Sequence, residues 1–198
     1  MEPEIEAAMP YLSSRGITPE TAEKFVLTYD RAQDAIKIPY FDARGRIVES
    51  GAGVAQRNLG WKPSSKYPPK YEWPKDTPRH IYNVVDADHP YVYVTEGEFD
   101  CLILKQLGLY AVGIPGVNNF KPEWIWLFPD QMVRLMFDAD IPKEREDGKV
   151  LRPGQDAATK LRRMLRRVTD DVEIVWLPEG EDVTSLFMAD RLKEVLPL

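Results

Sequence analysis

From Tyr91 to the end of the chain, short apolar runs of strand length alternate with stretches patterned as helices, and nothing else in the sequence limits the fold so tightly. "YVYVTE" reads as a strand, "FDCLILKQLG" as a helix closed by Gly108, "YAVGIPG" as a short strand entering a glycine-rich turn, and "VRLMFDAD" as a second long strand. "QDAATKLRRMLRRV" is an amphipathic helix with Ala157, Leu161, Met164, Leu165 and Val168 on one face and Arg162, Arg163, Arg166 and Arg167 towards solvent. "DVEIVWLP" is a further strand and "DVTSLFMADRLKEVL" a terminal helix. Strands joined by helices predict an α/β domain with a mostly parallel sheet covered on both faces.

The chain before Pro90 is patterned differently. Thr18 and Pro19 are a cap and first-turn pair for a helix in "YLSSRGITPETAEKF", and "AIKIPYFDARGRIVESGAGVAQRNL" alternates around Gly45 as a hairpin would. "WKPSSKYPPKYEWPKDTPRHIYNV" holds too much proline for a helix or a central strand and reads as an ordered loop or surface arm. The expected division is therefore a small α+β piece over 1–88 and an α/β domain over 89–198.

Composition narrows the chemistry. With 198 residues and 43% apolar content the chain suits one sizeable globular domain or two small ones. Its longest apolar run falls far short of the roughly 20 residues that cross a bilayer, and "MEPEIEAAMP" lacks the parts of a signal peptide, so no membrane role and a cytoplasmic location are expected. A single cysteine, Cys101, and two histidines, His80 and His89, exclude an internal disulfide and a cysteine-rich zinc site. The net charge is -6, yet 44–79 carries eight basic residues against three acidic ones, and "KLRRMLRR" at 160–167 is a second basic island. That distribution fits a polyanion held at defined places.

The carboxylates say where. Ligands of open α/β sheets bind beyond the carboxyl ends of the strands. Glu96 ends the first strand of the domain, and Asp138 and Asp140, two apart and so on one side, end the "VRLMF" strand. Carboxylates gathered at one sheet edge repel unless a cation intervenes, and a hard divalent ion, Mg²⁺ or in its place Mn²⁺, is the natural one. Glu96, with the longer reach, also suits a general base or acid on a hydroxyl. Acids at strand ends also cap helices and solvate loops, so the pattern by itself leaves both readings open.

In order and spacing, "VTEGEFDCLILKQLGLYAVGIPG", "VRLMFDADIP" and "GQDAATKL" resemble the Toprim domain of primases, topoisomerases and some nucleases, over about 110 residues from Tyr91. The resemblance makes Glu96, Asp138 and Asp140 the catalytic and divalent-metal centre, with Asp100 as a supporting acid and Pro115–Gly116 as the matching turn. The helix "YLSSRGITPETAEKF", the β-rich "IKIPYFDARGRIVESGAGVAQRN" and "PPKYEW" look like the core that precedes this domain in bacterial, DnaG-type primases, and they extend the likeness to nearly the whole chain. It implies RNA primer synthesis on single-stranded DNA from nucleoside triphosphates, with Arg57, Lys66 and Lys70 at nucleotide or nucleic-acid phosphates. "LPEGEDVTSLF" resembles the segment whose aspartates add to the metal site; Asp182 matches, while Thr184 stands where a second aspartate is usual. No zinc module precedes the core and no helicase region follows it. The resemblance therefore implies a compact or split phage-type component that takes template recognition from a zinc-bearing partner, or works with a replicative helicase.

Two other classes stay in view: a Toprim nuclease using nearly the same acids, and a non-catalytic DNA-binding replisome adaptor. "GAGVAQRNLG" lacks the Lys-Ser/Thr of a phosphate loop. Trp61, Tyr67, Tyr71 and Trp73 either stack on bases or pin their proline-rich loop. Cys101 reads as a buried thiol, and the charged insert "IPKEREDGKVLRPG" as solvated surface or a nucleotide-facing loop.

Overall fold

The computed structural model describes residues 3–48, 54–59, 62, 69–73, 78–116 and 119–196. They form two compact units, 1–80 and 81–198.

In the first unit, helices α1 (Pro3–Ser14) and α2 (Pro19–Lys24) precede an antiparallel sheet of β1 (Thr28–Asp30), β2 (Ala35–Pro39), β3 (Val54–Asn58) and β4 (Tyr71–Glu72), in that order. Thr18 caps α2 by accepting the N–H of Thr21 at 3.2 Å, with Pro19 at the first position, as its sequence predicts. The turn at Gly45 forms too: Asp42 accepts the N–H groups of Arg44 and Arg46, Gly45 takes φ +74°, and Phe41 bridges Ile47. β2 is the buried strand, with Ile36, Ile38 and the adjoining Tyr40 fully enclosed. Of the proline-rich stretch, Tyr71–Glu72 adds an edge strand, the place where neighbouring prolines do least damage to a ladder.

The second unit has β5 (Tyr91–Glu96), α3 (Glu98–Gln106), β6 (Ala111–Ile114), β7 (Met132–Met136), a hairpin of β8 (Lys143–Glu144) and β9 (Val150–Leu151), α4 (Pro153–Leu165), β10 (Val172–Ile174) and α5 (Val183–Met188). Its main sheet runs β10-β7-β5-β6, every neighbouring pair parallel, so the mixed α/β architecture is as expected. Val92, Val94, Val133 and Leu135 turn one face towards Ala158, Leu161 and Leu165 of α4. By strand alternation Tyr93 and Thr95 turn the other way, on the side where α3 packs with α5.

Three expectations change. Residues 81–88 belong to the second unit rather than the first. Tyr82 exchanges backbone hydrogen bonds with Gly113, Asn83 Nδ2 donates to Ala111 O, and Asp86 accepts Ala111 N–H, so this segment lines β6. The terminal helix is cut after Met188, where Asp190 takes φ +56° and Arg191 N–H closes on Leu186 O, leaving a short 3-10 turn at Leu192–Glu194. The charged insert after Asp140 contains a hairpin, with Gly148 at φ +76° in its turn. Among the described residues no helix is long and apolar enough to cross a membrane.

Candidate metal centre

β5 and β7 are direct neighbours with Thr95 in register with Met136, so Glu96 leaves the sheet level with Phe137, one residue before Asp138. The turn from Glu96 into α3 needs two glycines. Gly97 adopts φ +109°, and Gly113 on β6 lies so close beneath it that a Cβ there would strike the Gly97 carbonyl oxygen. Asp100 then falls in the first turn of α3, where it is 6% exposed. Its Oδ1 accepts both the N–H of Thr184 at 3.0 Å and the Thr184 hydroxyl at 2.6 Å. The residue that stands in place of an aspartate is thus a double donor that fixes one.

The other acids are held as firmly. Asp182 caps α5, its Oδ1 accepting Ser185 N–H at 2.6 Å while Ser185 Oγ accepts the Asp182 N–H at 2.9 Å. Asp140 Oδ2 accepts Gly154 N–H at 2.7 Å, and Gln155 Nε2 donates to the Asp140 carbonyl at 3.0 Å. Gly154 has no substitute: a Cβ would run into the Asp138 carbonyl oxygen. Between the two aspartates, Ala139 N–H donates to Glu181 O and Ala139 O accepts Gly180 N–H, which ties "DAD" to the 178–182 loop.

Asp138 is the focus. Burial pushes its carboxyl up to about 9, and the charges of Asp100, Glu96, Asp182 and Asp140 push in the same direction. The charges of four acids from three separate stretches therefore bear on a fifth. The opening of about 270 Å³ at this edge is lined by Asp138, Asp140, Glu181 and Asp182, with Lys143 among them. Among the described residues no three His, Cys, Asp or Glu side chains stand in a ready-made ligand shell. What fits a hard divalent ion is the donor chemistry: only oxygens, several of them anionic, repelling one another in a partly desolvated place.

The basic residues fare differently. Arg57 is 9% exposed: its Nε donates to Tyr11 Oη at 2.8 Å and its guanidinium lies over the Tyr71 ring at 5.2 Å. Two aromatic side chains thus hold this guanidinium, expected at a phosphate, in place within the first unit. Lys70 is exposed; Lys66, with Trp61 and Tyr67, lies outside the described residues. Trp73 packs on Tyr40 and under Arg79, and so pins its loop. Cys101 donates Sγ–H to Ala111 O, and burial pushes the thiol well above its ordinary range. Glu98, the third acid of "EGEFD", is buried with its charge near Tyr82 and takes no part in the group around Asp138. Sequence reasoning missed Gly154, whose only signal is Pro-Gly at a helix start, and Lys143 in the hairpin.

No family model matches the chain. It is 33% identical over 122 residues to the gene 57 protein of Mycobacterium phage D29, covering 60% of this chain and 70% of that protein. It is 26% identical over 193 residues to the DNA primase of Escherichia coli K12, covering 86% of this chain; the chain spans only 30% of that primase. Among solved structures, a DNA primase domain from Pseudomonas aeruginosa superposes with a TM-score of 0.67 at 26% identity, over 96% of this chain and 70% of that one.

Proposed function

We propose synthesis of short RNA primers on single-stranded DNA for this chain, which belongs to the primase-type Toprim family. The observation that carries the proposal is the convergence of Glu96, Asp100, Asp140 and Asp182 on Asp138 at the carboxyl edge of a parallel sheet. Like charges pressed onto Asp138 cost stability, and the arrangement makes sense as a seat for positive charge. Glu96, Asp138, Asp140 and Asp182 would hold Mg²⁺ or Mn²⁺. When bound, the ion neutralises triphosphate oxygens and the charge that builds on them during transfer.

In this reading the chain's residues divide the work. Asp140, held by Gly154, and Asp182, held by Ser185, present fixed oxygens. Asp100, clamped by Thr184, adds negative field behind Asp138 and locks α3 to α5. Glu96 takes the proton from the 3′ hydroxyl as its oxygen bonds to the α-phosphorus and pyrophosphate leaves. Arg57, Lys66 and Lys70 meet nucleotide or backbone phosphates, with Arg57 positioned by its bond to Tyr11. A zinc-bearing template-recognition protein and a replicative helicase are the candidate partners, and the cytoplasm is where they would be met.

The test is incorporation of labelled ribonucleotides on single-stranded DNA with Mg²⁺ or Mn²⁺, comparing wild type with Glu96→Gln and Asp138→Asn. Oligonucleotide products lost in both variants support the proposal. Metal-dependent cutting of the template would replace it with the nuclease reading, and binding without either reaction with the adaptor reading.

A further inference from the structure

The β8–β9 hairpin is the part of the second unit that the chemistry above leaves unused. It springs from the acid group at both feet. Asp140 stands before the outgoing strand and Gly154 after the returning one, joined by the Gly154 N–H to Asp140 Oδ2 bond and by Gln155 Nε2 on the Asp140 carbonyl. In the rung nearest these clamped feet Lys143 lies opposite Leu151.

Lys143 lines the same opening as Asp138, Asp140 and Asp182. Its side chain is exposed and, among the described residues, forms no ion pair, whereas Glu181 in that lining is met by Arg191 at 3.5 Å and Lys149 at the turn by Asp147 at 3.7 Å. Alternation turns Glu144, next in sequence, to the opposite face of the hairpin. A lysine beside carboxylates that hold a divalent ion is repelled by that ion and attracted by what the ion brings with it. Three donors on a compact ammonium suit the non-bridging oxygens of a polyphosphate.

We infer that Lys143 contacts the triphosphate tail of the incoming nucleotide, making the hairpin a nucleotide-binding arm of the acid centre. The inference rests on the primer-synthesis reading and deepens it. The first experiment measures binding alone: calorimetric titration of ATP and of AMP in Ca²⁺, as a non-catalytic ion, and of Mn²⁺ without nucleotide. Lys143→Ala should weaken ATP about tenfold and leave AMP and Mn²⁺ unweakened, with Lys143→Arg recovering most of the loss. Lys149→Ala is the control and should change nothing. In primer synthesis Lys143→Ala should raise the nucleotide KM about tenfold with kcat within about twofold.

Unchanged ATP affinity in Lys143→Ala overturns the inference, as does an equal loss of ATP and AMP, or absence of ATP binding by wild type. Tighter Mn²⁺ with unaltered ATP also overturns it, because Lys143 would then only neutralise the acids. The two readings fail separately. Primers made with an unaltered KM in Lys143→Ala sink the hairpin's role alone, while Lys143-dependent ATP binding without primers sinks primer synthesis alone.

Discussion

A buried carboxylate, Asp86, and a half-buried one, Asp138, lie at opposite ends of the same parallel sheet of the second unit, and their neighbours could hardly differ more. Asp86, near the start of β6, is answered within the chain: Lys105 Nζ lies 2.5 Å from its Oδ2 and Ala111 N–H donates to the same oxygen at 2.9 Å. Asp138, past the end of β7, feels the charges of four more acids, and among the described residues no lysine or arginine is paired with it. A buried charge must find a partner or become neutral. Where the protein supplies the partner the site is structural. Where it assembles like charges and holds three of them, Asp100, Asp140 and Asp182, with backbone donors, the arrangement suits a partner from outside.

That contrast can be broken by experiment. The largest effect belongs to Asp138→Asn, which should cost primer synthesis at least about 100-fold. It should also raise the melting temperature of the metal-free protein, by removing a repelled charge, and abolish the further rise that Mn²⁺ gives wild type. A fall in metal-free stability would mean that Asp138 is held by a partner as Asp86 is. Asp86→Ala should do the reverse, costing about 3 kcal/mol of stability by leaving Lys105 unpaired. Mn²⁺ should still raise its melting temperature, as thermal denaturation would reveal.

Gly154→Ala sharpens the comparison by leaving every acid in place. The added methyl meets the Asp138 carbonyl, so either that peptide or the start of α4 must shift. About 2 kcal/mol of stability should go, with a loss of Mn²⁺ affinity that a surface substitution such as Arg163→Ala would not cause. Smallest is Thr184→Val, which removes the hydroxyl but keeps the N–H on Asp100; about 1 kcal/mol in chemical denaturation is expected. If instead it leaves stability unchanged, Thr184 is a spacer where an aspartate would otherwise stand.

Much of this was legible in advance because it depends on local order. Apolar runs of strand length, Gly108 after a helix, Thr18-Pro19 before one and the turn at Gly45 act through neighbours a few residues away, and all appear where their patterns predict. The acids at the ends of "YVYVTE" and "VRLMF" were legible for the same reason, since a strand that ends in carboxylates puts them at the sheet's edge wherever it lies. Arg57 and the terminal helix show where such reading stops. That Arg57, in a basic stretch, gives its Nε–H to Tyr11, 46 residues away, is not written in its neighbours. A helix-patterned terminus reads as one piece until Asp190 turns left-handed.

By itself, then, the sequence determined an α/β domain with Glu96, Asp138 and Asp140 at strand ends, because periodicity and strand length are properties of consecutive residues. Only the tertiary structure decided that β5 and β7 lie side by side, that Thr184 donates twice to an acid 84 positions earlier, that Gly154 leaves room for the Asp138 carbonyl, and that Lys143 stands at the rim of the same opening. Those are encounters between distant segments. Their free energy depends on which charges meet and how closely backbones approach, quantities that no local pattern of residues encodes.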